Sequence, residues 1–235
     1  MTPKDRLIVA LDVPTAPEAR ALVDRLHGAV GMFKVGSQLF TEAGAPFVRE
    51  LVSRGLKVFL DLKYHDIPNT VANAVARAAE LGVSLLTVHA LGGRAMMEAA
   101  MGALPAMGTR VLAITILTSH DEESLGELGI GGSLPENVAR LARLAKEARV
   151  DGVVASPHEV GLVRGACGPD FLIVAPGIRP TGAQALDQAR PATPAAAVAA
   201  GASYIVVGRP ITEAADPAAA ARAIVLEVES ARPSL

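Results

Sequence analysis

Hydrophobic positions along the chain fall into two alternating patterns. Short runs rich in Val, Ile and Leu occur at Leu7–Val13, Met32–Gly36, Lys57–Lys63, Leu85–His89, Arg110–Leu117, Gly152–Ser156, Phe171–Pro176 and Tyr204–Gly208. Their length and near-continuous apolarity are those of parallel strands covered on both faces. Between them, amphipathic stretches predict helices over Ala16–His27, Thr41–Arg54, Pro68–Leu81, Gly93–Leu104, Pro135–Ala148, Pro157–Gly165, Pro194–Gly201 and Pro217–Ala231. Prolines open several of these, and Gly55, Gly82 and Gly201 follow their ends, as helix-end chemistry favours. Eight strands alternating with eight helices in 235 residues is the pattern of a single (β/α)8 TIM barrel, a fold of about 250 residues. A doubly wound open sheet uses fewer strands and a glycine-rich turn after the first, whereas here the first strand runs into Asp12-Val13-Pro14. No linker divides the chain, so residues 1–235 read as one barrel domain. The longest connection, His120–Leu134, is acidic and then glycine-rich, and predicts a mobile loop above the fifth strand.

Composition narrows the functional classes. Hydrophobic residues at 51% and charged residues at 20% describe a folded chain and exclude disorder. A formal net charge of −2, from 22 basic and 24 acidic residues, leaves no polycation to grip a nucleic-acid backbone. The aromatic share of 3%, without tryptophan, argues against a base-stacking surface. Cys167 is the sole cysteine, so no intrachain disulfide forms and a reducing, cytoplasmic compartment is expected. The apolar run Leu7–Leu11 is too short for the core of a signal peptide. Residues 191–208 carry no charge, yet Pro191, Pro194, Gly201 and Ser203 interrupt them, giving a helix and a strand rather than a membrane span. A protein that handles small molecules is left, with neither nucleic acid nor membrane as partner.

Barrels place ligand groups at the C-terminal ends of their strands. There the chain offers Asp12, Lys34, Asp61, Lys63 and His89, with Asp66 just beyond. Alternation puts Phe59, Asp61 and Lys63 on one face and Val58, Leu60 and Leu62 on the other. The apolar set must meet the helices, which sends the charged set towards the barrel axis. Any one of these charges is accounted for by a salt-bridge network at the barrel mouth. The whole set on adjacent strand ends is not, because buried charge pairs are weak stabilisers. Lys63 lies two residues from Asp61 and three from Asp66. A Schiff-base lysine needs desolvation or a cationic neighbour, so Lys63 among carboxylates reads as a proton donor. Asp12, Asp61 and Asp66 are hard oxygen donors, but Lys34 and Lys63 would stand against a divalent ion, so no metal is expected.

The loops after strands seven and eight, where barrels commonly bind phosphate, read Ala175-Pro176-Gly177-Ile178-Arg179-Pro180 and Val207-Gly208-Arg209-Pro210-Ile211-Thr212. Two arginines there offer bidentate donors to a phosphate dianion, which points to a phosphorylated substrate. Of the histidines, His65 shapes its loop and His89 reads as a hydrogen-bonded wall residue, while His27, His120 and His158 read as surface residues. Cys167 sits beside a turn with no base nearby in sequence, and nothing marks it as a nucleophile.

The run Asp61-Leu62-Lys63-Tyr64-His65-Asp66-Ile67-Pro68-Asn69-Thr70 resembles the D-x-K-x-x-D-I-P-N-T signature of the orotidine 5′-phosphate decarboxylase family. Leu11-Asp12, Lys34-Val35-Gly36, Leu117-Thr118-Ser119, Ala175 to Pro180 and Val207 to Thr212 follow in family order, so the similarity runs along essentially the whole chain. The resemblance implies loss of CO2 from C6 of orotidine 5′-monophosphate to give UMP, the last step of pyrimidine nucleotide synthesis, with no metal or organic cofactor. It implies that Lys63 protonates C6, that Asp61 lies near the departing carboxylate, and that Asp66 reaches in from the partner subunit of a homodimer. Together these would complete a Lys34-Asp61-Lys63-Asp66 array. Asp12 and Lys34 would bind ribose hydroxyls, Thr70 would lie near the ribose of the partner's site, and Thr118 would bond the pyrimidine edge. Arg179, Gln188, Gly208 and Arg209 would hold the phosphate. Related barrel lyases acting on sugar phosphates share the Asp-x-Lys-x-x-Asp core, but use Mg2+ and an acidic residue where Lys34 stands. Lys34 and the Ile67-Pro68-Asn69-Thr70 continuation disfavour that class. A non-catalytic nucleotide-binding barrel would be expected to have lost part of the array, and no part is missing.

Overall fold

β-Branched and leucine-rich runs that bury both faces can close into a barrel, with helices covering the outside and side chains filling the inside. In the computed structural model, which describes residues 1–105, 108–180 and 192–231, that is how the chain folds. In chain order the elements are β1 (Leu7–Ala10), α1 (Ala16–Leu26), β2 (Met32–Gly36), α2 (Ser37–Ser53), β3 (Val58–Tyr64), α3 (Pro68–Ala79), β4 (Leu85–His89) and α4 (Gly93–Gly102). There follow β5 (Arg110–Ile114), α5 (Glu122–Glu127), α6 (Leu134–Glu147), β6 (Gly152–Val154), α7 (Val160–Cys167), β7 (Leu172–Ala175), α8 (Pro194–Ala199), β8 (Tyr204–Val207), α9 (Arg209–Thr212) and α10 (Pro217–Ser230). The eight strands form a closed barrel in sequence order, and β8 returns in parallel to β1 through Leu7↔Ile205, Ile8↔Val206 and Val9↔Val207. The expected (β/α)8 architecture is therefore the observed one.

Alternation along each strand builds two cores. Leu7, Val9, Val35, Leu60, Leu86, Val111, Val153 and Ile173 point outward and join the helices in the larger one. Ile8, Ala10, Met32, Phe59, Leu85, Leu112, Val174 and Val206 point inward and fill the barrel. Gly152 belongs to the inner face, where a Cβ would fall 2.3 Å from the Leu172 carbonyl oxygen, so no larger residue fits without moving β7.

Several elements differ from the expected ones, and the differences are local. Helix α2 starts at Ser37, directly after Gly36, and breaks at Gly44 (φ 64°) ahead of Pro46. The proline after a left-handed glycine accounts for the break. The segment expected as a mobile loop contains α5, whose Asp121 and Ser124 cap one another's backbone and whose Leu125 is buried. An Asp-x-x-Ser box and one apolar anchor are sufficient for this short helix. The seventh helix begins as a 3-10 turn over Pro157–Glu159 before α7. Strands β1 and β5 stop at Ala10 and Ile114, short of their expected ends, which leaves Asp12 and Thr118 on the loops that rim the barrel mouth. Among the described residues no helix is long and apolar enough to cross a membrane.

Candidate active site

The inward-facing rows change from apolar to charged at the C-terminal mouth. Above Ala10 on β1 stands Asp12; above Met32 on β2 stands Lys34; above Phe59 on β3 stand Asp61 and then Lys63. Lys34 Nζ lies 2.8 Å from Asp12 Oδ1 and 4.0 Å from Asp61 Oδ2, and Lys63 Nζ lies 2.9 Å from the same Asp61 oxygen. The result is a chain of alternating charge, Asp12–Lys34–Asp61–Lys63, in which one carboxylate is shared by two ammonium groups. Lys34 and Asp61 are both 9% exposed. Close pairing is what makes such burial tolerable, and it contributes little net stability. Gly36 makes room for the arrangement: a Cβ there would come within 2.9 Å of Lys34 Nζ.

Lys63 is held in an unusual backbone conformation, φ 53°. Its strand pairs with β4 at Leu60↔Leu86 and again at Tyr64↔Val88, so Asp61, Leu62 and Lys63 together face Thr87 alone. The Thr87 hydroxyl accepts the Lys63 backbone N–H (2.9 Å) and donates to Asp61 Oδ1 (2.9 Å).

A cavity of about 430 Å3 opens over these groups. Ile114, Ile116 and Val154 form an apolar wall, Thr118 stands at its rim, and Gly177, Arg179, Gly208 and Arg209 line it from the β7 and β8 loops. Arg179 is buried; burial and the neighbouring Arg209 cation lower its guanidinium pKa, against the opposing effect of Glu213. Two converging cations beside glycine backbone form a site that an anion stabilises. Gly208 also precedes α9, an unexpected single turn that begins at Arg209 itself. Among the described residues no group of three or more His, Cys, Asp or Glu side chains is placed to share a metal ion.

Eight of the expected site residues, Asp12, Lys34, Asp61, Lys63, Thr118, Arg179, Gly208 and Arg209, therefore line one cavity. Asp66 and Thr70 do not line it. Both are exposed at the start of α3, where Asp66 Oδ1 accepts the Ile67 N–H at 2.6 Å. Gln188 lies outside the described residues. The sequence reading missed Thr87, which carries a signal only once β3 and β4 are set side by side. It named Gly36 in the Lys34-Val35-Gly36 run but not its part in leaving room for Lys34 Nζ.

His89 continues the inner face of β4. It stacks on His65 (ring centroids 5.3 Å apart) and its Nδ1 accepts the Leu91 N–H. Burial first, then the His65, Lys63 and His120 charges, push its pKa down to about 4. His120 is half-buried against Ser124 rather than a surface residue, because α5 folds the segment back. Cys167 is buried, and burial raises its thiol pKa, so it stays protonated. The unfolded chain, with an ordinary imidazole near 6.5, takes up the His89 proton before the folded one does. This contribution to stability is therefore complete above pH 6.5 and is lost as pH falls towards 4. Calorimetry of the wild type and His89→Gln over that range should show the wild-type melting temperature falling more steeply. Parallel curves would remove the role of neutral His89.

Three comparisons bear on this site. The model of the Orotidine 5′-phosphate decarboxylase / HUMPS family matches residues 5–224. An orotidine 5′-phosphate decarboxylase of Moorella thermoacetica is 52% identical over 240 residues, covering 99% of this chain and 95% of the relative. One from Halorhodospira halophila is 55% identical over 228 residues, covering 96% and 97%. Among solved structures, the orotidine 5′-phosphate decarboxylase of Lactobacillus acidophilus superposes with a TM-score of 0.85 at 41% identity, covering 95% of this chain and 99% of that one.

Proposed function

Because the chain belongs to the Orotidine 5′-phosphate decarboxylase / HUMPS family, we propose that its charged cavity is the site where orotidine 5′-monophosphate loses CO2. The activity, a carboxy-lyase reaction giving UMP in the last step of UMP biosynthesis, is that of the relatives along nearly the full chain. The assignment of roles rests on one observation above all: the alternating Asp12–Lys34–Asp61–Lys63 chain at one part of the cavity and the Arg179–Arg209 pair at another.

In this reading the phosphate sits between Arg179 and Arg209 against the Gly208 backbone, and Gln188 joins it. Asp12 and Lys34 bind the ribose hydroxyls, and Thr118 bonds the pyrimidine edge. That orientation brings the C6 carboxylate to Asp61. When the C6–carboxylate bond breaks, its electron pair stays on C6, and the Lys63 ammonium donates the proton that makes UMP. Lys63 is left neutral and regains a proton from water. An ammonium held in place before the reaction, 2.9 Å from Asp61, stabilises the developing carbanion without reorganisation. Repulsion between Asp61 and the substrate carboxylate would act in the ground state, a contested kind of contribution. Asp66 and Thr70 serve the site of a second copy in a homodimer. Their exposure, beside an Ile67 that is 67% exposed, supports that placement. A cytoplasmic location fits the lone, buried cysteine.

The sugar-phosphate lyase alternative requires a divalent ion among these carboxylates. Lys34 Nζ, placed between Asp12 and Asp61, occupies that position with a charge of the wrong sign. The test is to follow orotidine 5′-monophosphate absorbance with purified protein in excess EDTA. Decarboxylation is expected to survive exhaustive chelation. Activity that vanishes and returns with Mg2+ would support the alternative.

A further inference from the structure

Thr87 is fully buried at the middle of β4 and does not line the cavity. It is nevertheless the only residue of β4 opposite the three-residue excursion of β3 that carries both Asp61 and Lys63. Across a bulge, a regular ladder cannot satisfy every backbone group, and the extra residues are left without strand partners. Here the Lys63 N–H is satisfied by the Thr87 hydroxyl rather than by a β4 carbonyl, at 2.9 Å. The same hydroxyl gives its proton to Asp61 Oδ1, also at 2.9 Å. That fixes the carboxylate so that its other oxygen, Oδ2, faces Lys63 at 2.9 Å and Lys34 at 4.0 Å.

We propose that Thr87 is a positioning residue for decarboxylation, one hydroxyl setting both the rotation of the Asp61 carboxylate and the left-handed backbone that aims Lys63. Left-handed φ is sparsely populated by residues other than glycine and persists when its surroundings impose it. At Lys63 the imposing contact is the N–H to Thr87. Without the hydroxyl, both the N–H and Asp61 Oδ1 lose a buried partner. The carboxylate is then free to turn and the lysine backbone to relax, displacing the ammonium from the reacting carbon. The phosphate and ribose contacts, made by Arg179, Arg209, Asp12 and Lys34, do not pass through Thr87, so binding and turnover should respond differently.

The proposal rests on the decarboxylase reading, and one assay separates the two. Wild type, Thr87→Val and Thr87→Ser are compared for turnover of orotidine 5′-monophosphate, alongside their UMP affinities and melting temperatures. Valine keeps the shape and removes the hydroxyl; serine restores it. The expected result is a fall in kcat of roughly ten- to a hundredfold in Thr87→Val, the scale set by losing a hydrogen bond to a charged group. KM and UMP affinity should stay within about threefold, since uniform binding is untouched, and Thr87→Ser should recover most of kcat. Should Thr87→Val fold poorly, Thr87→Ala and Thr87→Ser differ by one oxygen and carry the same comparison. Equal kcat with and without the hydroxyl, or equal losses in valine and serine variants, overturns the proposal. A wild type that leaves the substrate unchanged overturns the decarboxylase reading, and this proposal with it.

Discussion

Lys63→Ala and Asp66→Ala homodimers should each be nearly inactive, and mixing them should restore roughly a quarter of wild-type activity. Lys63 lies in the cavity of its own chain, 2.9 Å from Asp61. Asp66, five residues beyond Asp61, is exposed and outside that cavity. If Asp66 completes the site of a second copy, each homodimer has both sites spoiled. Losing a positioned proton donor costs about 10²- to 10⁴-fold, and losing the Asp66 carboxylate would open the proposed Lys34-Asp61-Lys63-Asp66 array. In a mixed dimer both lesions fall in one site and the other is whole. Random exchange makes about half of the dimers mixed, each with one good site of two, hence the quarter under two-fold symmetry. Subunit exchange followed by native mass spectrometry and an activity assay measures it. Verified heterodimers that stay as inactive as their parents would place Asp66 in its own chain's site and remove the shared-site proposal.

Arg209→Ala should lower kcat/KM by about a hundredfold or more, through both of its components. Arg209 and the buried Arg179 converge closely enough for the first to lower the pKa of the second. In the proposed site a phosphate dianion between them would remove that repulsion, and Arg209→Ala would take away a bidentate charge-assisted contact. KM should rise because the phosphate is held less tightly. A drop in kcat as well would show that binding energy at the phosphate is used at the distant carbon, by closing the cavity over the ring. Steady-state kinetics, with UMP affinity as a second readout, decides between these contributions. Unchanged kinetics would remove the phosphate assignment.

The barrel and the positions of its charges were legible because both depend on strand alternation. Phe59, Asp61 and Lys63 share a parity, and so do Met32 and Lys34; once the apolar partners must meet helices, the charges can only face the axis. The arginines were legible because the loops after the last two strands have a recurring use. What escaped depends on details that alternation does not carry. The start of α2 at Ser37 follows from a glycine cap with no intervening turn, and α5 is too short to show a period. Thr87 is an ordinary strand threonine until β3 bulges opposite it, and that bulge is a property of two strands in register. Asp66 could be assigned only by resemblance, since it is exposed and does not line the cavity of its own chain.

The apolar layer inside the barrel has a consequence for traffic. Ile8, Met32, Phe59, Leu85, Leu112, Val174 and Val206 pack beneath Lys34 and Asp61, so the cavity is a blind pocket whose floor is solid hydrocarbon. The mouth then serves as both entrance and exit. If the C6 carboxylate sits at Asp61 as proposed, carbon dioxide would be freed near this floor and would share the mouth with UMP. On that placement, the order in which two products vacate one doorway would be a built-in feature of turnover.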